Sequence, residues 1–272
     1  MSRKNNRTYK RNKRNCVYTY VVHHKRQDLL MTTQEFRKQI GKYLGTKIRE
    51  FGFKGSGFNY IMDSESFVFT IGLQANRYGG SFCVELGVHP KEITNNGFED
   101  LDFNKLKYYN CEFRTRLAKE GNGDRWWNYT DSESKNFEII DDVIFYISKY
   151  AIPIINGFKN DTGLLEKVKI SDIKNRFIPI PDFKGGLTPM TTDIRLAWAL
   201  AVIIEKSNPK KSLEFAKYAL KHDKSPSTFF GTKDLKRIIE YYQDSFEKDL
   251  PIKEMDNEKS SFWTKITDRF RK

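Results

Sequence analysis

The hydrophobic period of this chain changes near residue 52, and that change bounds the folds open to it. Thr32 and Glu35 stand at capping-box spacing, and Phe36, Ile40, Tyr43, Leu44, Ile48 and Phe51 follow at helical intervals. Together they predict a helix over about 33–51. Its other face carries Arg37, Lys38, Lys42, Lys47 and Arg49 and reads as solvated. Beyond it the spacing drops to two, in Phe58-x-Tyr60-x-Met62, Phe67-x-Phe69-x-Ile71-x-Leu73 and Phe82-x-Val84-x-Leu86-x-Val88. Asp63-Ser64-Glu65 and Asn76-Arg77-Tyr78-Gly79-Gly80 separate these runs, which makes an antiparallel meander with one apolar face. His89-Pro90 ends the third strand, since proline cannot donate to a ladder. Residues 111–117 supply a fourth, with Phe113, Thr115 and Leu117 inward.

Helical spacing then returns. Ile139, Ile140, Val143, Ile144, Ile147, Tyr150, Ala151, Ile154 and Ile155 form a broad stripe over about 136–156, which Pro153 kinks or ends. Residues 192–206 are apolar nearly all round and so form a buried helix. Asn208 and Pro209 open another over 209–222, and Leu235, Ile238, Ile239, Tyr242 and Phe246 mark a third over 233–249. The expected class is α+β: an antiparallel β-meander of about four strands flanked by helices, followed by an all-helical C-terminal part. The expected division is a basic, disordered arm (1–30), an α+β domain (31–160), a connection (161–190), a helical subdomain (191–250) and an amphipathic basic tail (251–272). In that tail Phe262, Trp263, Ile266 and Phe270 oppose Lys265, Arg269, Arg271 and Lys272. Such a segment docks on a partner or a membrane surface, or folds back on its own core.

A net charge of +13 over 272 residues raises the question of nucleic acid, and its location matters. Nine of the first thirty residues are Lys or Arg against one acid, Asp28, so the arm holds +8 of the total. Arg3, Lys4, Arg7, Lys10, Arg11, Lys13 and Arg14, interleaved with Tyr9, Tyr18 and Tyr20, would hold phosphates and stack bases. The same composition suits a solubilising tail, or a stretch upstream of a start at Met31. Several classes are excluded more firmly. The longest apolar run, 196–204, is less than half a membrane span, and residues 17–22 are too short and polar for a signal-peptide core. Cys16, Cys83 and Cys111 lack the spacing of a disulfide framework or a zinc site, which leaves the cytoplasm as the expected address. None of His23, His24, His89 and His222 pairs with Glu or Cys at metal spacing. Gly52-x-x-Gly55-x-Gly57 runs from helix into strand, the reverse of a phosphate loop. Glu133-Ser134-Lys135 sits in a polar helix start rather than on the apolar strand a metal nuclease would use. No cofactor or metal is expected.

The meander's other face is more informative. Opposite the apolar rows stand Val68, Thr70, Gly72 and Gln74, then Cys83, Glu85 and Gly87, then Glu112, Arg114 and Arg116. Two arginines one strand step apart present forked donors to a carboxylate or phosphate. The two glycines admit the close approach of a ligand, or make room for Trp126 or the long helix. Gly121-Asn122-Gly123-Asp124-Arg125-Trp126-Trp127 would lie over the face as a lid, its tryptophans stacking on a planar group. The candidate ligand site is therefore Gln74, Arg77, Glu85, Arg114, Arg116, Asp124, Arg125, Trp126 and Trp127. The competing reading pairs Glu85 and Glu112 with Arg114 and Arg116 as cross-strand ion pairs, worth about 0.2–1 kcal/mol each.

The runs Glu50-Phe-Gly-Phe-Lys-Gly-Ser-Gly-Phe-Asn-Tyr, Ile71-Gly-Leu-Gln74-x-x-Arg77-Tyr-Gly and Phe82-Cys-Val-Glu-Leu-Gly-Val are followed by Cys111-Glu-Phe-Arg114-Thr-Arg116-Leu and Asp124-Arg-Trp126-Trp127. In that order they resemble the bacterial domain-of-unknown-function family number four thousand three hundred and four, over about residues 32–158. The resemblance implies an α+β domain with Gln, Arg and Trp signature positions and carries no activity. Glu85 stands where Asn is expected in that family. The preferred functional expectation is a non-enzymatic binding or sensing module, with an anionic ligand or protein segment on the arginine face and a partner on the C-terminal helices. Bacterial anti-phage or toxin–immunity systems supply its setting by analogy. The alternatives are a nucleic-acid-binding protein acting through the arm, and a metal-dependent hydrolase or nuclease using Glu85, Glu112 and Asp124.

Overall fold

The computed structural model describes residues 31–95, 97, 99–118, 124–160, 163–224 and 229–247. Thr32 accepts from the Glu35 amide at 3.2 Å, and the Glu35 carboxylate accepts from the Thr32 N–H at 2.8 Å. This capping box starts α1 (Thr33–Glu50). Five strands follow in meander order: β1 (Lys54–Ser56), β2 (Asn59–Asp63), β3 (Phe67–Ala75), β4 (Ser81–Pro90) and β5 (Phe113–Arg116). A short β6 (Trp127–Asn128) pairs the start of β4, in line with β5. All pairings are antiparallel, and β3–β4 is the longest, from Phe67↔Pro90 to Ala75↔Phe82. Phe36, Ile40, Leu44 and Ile48 of α1 are fully buried with Phe69, Ile71, Val84, Leu86 and Phe113 of the sheet. That is the apolar face the alternation predicts.

The other face is not open, which corrects the one-sided meander. Every residue of β4 is buried. Residues 91–95 and 99–112 fold back across the far half of the face, where Leu106 and Cys111 pack on Val68 with Ile61, Leu101 and Phe103. His89 clasps this segment: its ring faces the Ile93 carbonyl at 2.7 Å through Nε2, and its Nδ1 accepts the Glu112 N–H at 3.1 Å. Leu101, Phe103 and Leu106 follow no period, so no sequence pattern announced a cover.

The long helix runs through Pro153. α2 (Glu133–Tyr146) passes into a π turn (Ile147–Ala151) and continues as α3 (Ile152–Asn160). Proline has no N–H for the carbonyl of Lys149 and crowds it; the wider turn just before it absorbs the misfit without ending the helix. Residues 161–190 are not a plain connection either. They hold α4 (Ile170–Lys174) and a two-stranded sheet, β7 (Ile178–Ile180) with β8 (Phe183–Leu187). Helices α5 (Asp193–Ile203), α6 (Pro209–His222) and α7 (Thr232–Glu247) complete the C-terminal part, with Thr192 and Asn208 as N-caps. Among the described residues no helix is long and apolar enough to cross a membrane.

Candidate ligand site

Beyond the cover, the near half of the second face keeps its polar residues, and the register brings them together. Glu85 lies opposite Arg116, Gln74 opposite Cys83, and Gly87 opposite Arg114. Glu85 is fully buried. Arg116 Nε donates to its Oε1 at 2.9 Å, and the remaining Arg116 donors go to Gln74 Oε1 at 3.1 Å and to the Asp124 carboxylate. Each side-chain nitrogen of Arg116 thus makes a hydrogen bond, and its guanidinium also lies 5.7 Å from the centre of the Trp126 ring. Arg114 is held more loosely, with Nε 3.5 Å from Glu85 Oε2 and the side chain 30% exposed. Glu85 Oε2 makes no hydrogen bond. Two arginines thus share one buried carboxylate, and only one of them is well bonded to it.

Tyr108, absent from the sequence-derived site, closes the cluster. It belongs to a single turn, Tyr108–Asn110, at the end of the covering segment. A Cβ on Gly72 would lie 2.0 Å from its ring, so this glycine makes room for a tyrosine and not for a ligand, Trp126 or the long helix. Gly87 likewise accommodates Thr70 Oγ1 and Cys111 Sγ, which lie 2.4 and 2.5 Å from where a Cβ would stand. Burial, and then the charges of Glu85 and Cys83, raise the Tyr108 pKa, while Arg114 opposes them. Burial also pushes the Cys83 thiol up to about 11 and Cys111 up to about 12, so neither is a thiolate near neutrality. The one signal for Tyr108 was Gly72, and it did not specify what filled the space.

Other members of the sequence-derived site lie elsewhere. Trp127 is buried in the core, stacked on Phe82 at 5.9 Å, with its Nε1–H donated to Asp142 at 2.7 Å. It is not part of a lid; the period of β4 has simply drawn it into the sheet as β6. Arg125 bonds Asp142 at 2.7 Å and covers the Trp127 and Tyr146 rings, away from Glu85. Arg77 is exposed at the β3–β4 turn, its guanidinium 4.7 Å from the Tyr78 ring. Trp126 remains 39% exposed beside Arg116. Residues 121–123 of the expected lid, and the cations of the arm, lie outside the described residues, as does the tail after residue 247.

The three carboxylates weighed for a metal are each committed to a guanidinium. Glu112 does not pair with Arg114 or Arg116; Arg195 of α5 grips both its oxygens at 2.8 Å. Among the described residues no group of three or more His, Cys, Asp and Glu side chains converges. What the arrangement offers chemically is a half-exposed guanidinium, a tyrosine ring and an exposed indole around a buried, charge-compensated floor.

Residues 44–157 match the family described as Domain of unknown function (DUF4304), a segment that contains all six strands of the main sheet and every residue of the Glu85 cluster. No curated protein and no solved structure matches the chain.

Proposed function

We propose that this chain is a non-enzymatic binding module whose Arg114 guanidinium, near Tyr108 and sharing Glu85 with the Arg116 that lies against Trp126, captures a carboxylate or phosphate on a ligand or protein segment. The observation that carries this reading is the inequality of the two arginines. Arg116 bonds Glu85, Gln74 and Asp124 through all three of its side-chain nitrogens and serves as scaffold, whereas among the described residues Arg114 has one long side-chain contact and faces outward in part. A fork held in place by a buried carboxylate, with donors to spare, suits bidentate capture of an oxyanion. The same reading places it in the cytoplasm and, by analogy alone, in a bacterial conflict system.

Native mass spectrometry of gently purified protein tests this. A defined extra mass that is lost in Arg114→Ala, while the thermal midpoint stays within about 2 °C of wild type, supports the reading. Bare protein, or an adduct that survives Arg114→Ala, contradicts it. The sequence of the arm favours a second reading, single-stranded nucleic acid held by residues 3–14. In that case affinity falls with a log–log salt slope of about −3.5 if five phosphates are neutralised, and deletion of residues 1–30 removes most of the slope, an unchanged slope defeating this reading.

A further inference from the structure

The two borders of the main sheet present different chemistry. At β5 it is main chain. Thr115 pairs with Leu86 of β4, and the Leu117 N–H donates to the Val84 carbonyl at 2.9 Å. Alternation then turns the main-chain groups of Arg114 and Arg116 outward, where the Arg114 carbonyl meets the Met190 N–H at 2.6 Å. At β1 it is charge. Residues 34–56 hold Arg37, Lys38, Lys42, Lys47, Arg49 and Lys54 against Glu35 and Glu50. Positions 38, 42, 45 and 49 follow one line along α1, and Lys38, Lys42 and Arg49 stand exposed on it. Gly45 lies under Arg49, whose guanidinium would be 3.2 Å from a Cβ there and reaches the Gly55 carbonyl of β1 at 3.4 Å. The line thus continues to Lys54, exposed on β1. Arg37 flanks it, 4.4 Å from the centre of the Phe58 ring.

The neighbouring acids do not cancel this charge. Glu35 stands beside Lys38, its carboxylate held in the capping box by the Thr32 N–H. A hydrogen bond to Asp141, burial, and the charges of Asp141 and Glu50 raise the Tyr43 pKa, which puts Glu50 on the flank that faces α2. Lys47, 5.6 Å from the Tyr43 ring, belongs to that flank too. Asp63, on the strand beside β1, pairs with Lys91 at 2.8 Å. We propose that Lys38, Lys42, Arg49 and Lys54, with Arg37 beside them, form a docking surface for the phosphate backbone of a nucleic acid. From Lys38 to Arg49 the helix rises about 16 Å, the length of about five phosphates along one strand of a duplex. The line carries no aromatic ring to stack a base, so the contact reads charge and not sequence. It rests neither on the Arg114 site nor on the arm.

The test is the salt dependence of binding by the full chain to a short DNA duplex and to a short single strand. Wild type is compared with a Lys38→Gln, Lys42→Gln, Lys54→Gln variant and with a Lys210→Gln, Lys221→Gln, Lys233→Gln control. The control removes the same charge from exposed positions of α6 and α7. Any contribution of the arm is common to all three proteins and drops out of the comparison. Because all six lysines are exposed, thermal midpoints should agree within about 2 °C. The first variant should bind more weakly, with a log–log slope shallower by about 2.7 on the duplex or about 2.1 on the single strand. The control should keep the wild-type slope. Such a change on either DNA, in the first variant alone, supports the proposal. Equal slopes in the two variants overturn it, as does a wild type that binds neither DNA at low salt. Lysine-dependent binding to phosphatidylglycerol vesicles in place of DNA overturns it as well, since the partner would then be a membrane.

Discussion

Glu85 is a carboxylate buried between two guanidiniums of unequal attachment, and the inequality predicts opposite phenotypes for neighbouring substitutions. Removing Arg116 leaves the fully buried Glu85, among the described residues, with the long Arg114 contact alone. Arg116→Ala is therefore expected to destabilise the fold by about 3–5 kcal/mol in urea titration, with much of that restored by adding Glu85→Gln. Arg114→Ala should affect the ligand and leave the urea midpoint nearly unmoved. The sequence alone made the two arginines equivalent, because alternation records which face a side chain takes and not what it bonds there. A third residue-scale prediction concerns Gly72, whose substitution by Ala would drive a methyl into the Tyr108 ring. We expect a loss of about 1–3 kcal/mol and an accelerated exchange of the amides in residues 106–112 as the cover lifts. A Gly72→Ala variant as stable as wild type would show that Tyr108 can vacate its place without loss.

At the scale of elements, the buried Glu112–Arg195 pair fastens the start of β5 to the first turn of α5. Glu112→Gln should cost less than Arg195→Ala, because only the latter strands an unpaired buried charge. The expected difference is about 2 kcal/mol, read from paired denaturation curves. No sequence signal could have suggested this contact, since 83 positions separate its partners. What the sequence did disclose were elements long enough to repeat a period. α1 announced itself by its capping box, β2 to β4 by alternation, and α6 by Asn208-Pro209. Ile178-Pro-Ile180 and Phe183-Lys-Gly-Gly-Leu187 were too short and too rich in Pro and Gly to register as strands, and β6 is only two residues. The covering segment failed for a different reason: its apolar residues are spaced for a surface that exists only after β2, β3 and β4 have paired. Of the candidate site, Gln74, Glu85, Arg114, Arg116 and Asp124 were reachable by face assignment with a turn nearby. Tyr108 was not, and Arg77, Arg125 and Trp127 were drawn in by proximity in sequence.

For the whole molecule, His89 ties global stability to pH. Burial lowers its pKa, a direction that Arg195 reinforces and that the Ile93 carbonyl and Glu112 resist. An unfolded histidine titrates near about 6.5. Between that value and the lower folded one, the unfolded chain takes up a proton that the folded chain refuses. Stability is thus fully present above about pH 6.5 and declines as the pH falls below it. Urea midpoints at about pH 7.5 and pH 5 should differ more in wild type than in His89→Gln; identical differences would remove His89 from the pH response. The two lateral borders of the main sheet differ as sharply as its two faces. β1 is three residues long, Lys-Gly-Ser, and exposed throughout, with Gly55 in a backbone conformation that resists further pairing. Such a border is a poor template for a neighbour. A sheet that can be joined on one side only can grow by a single step, so self-association through it would stop at a closed pair of chains and could not propagate into a fibre.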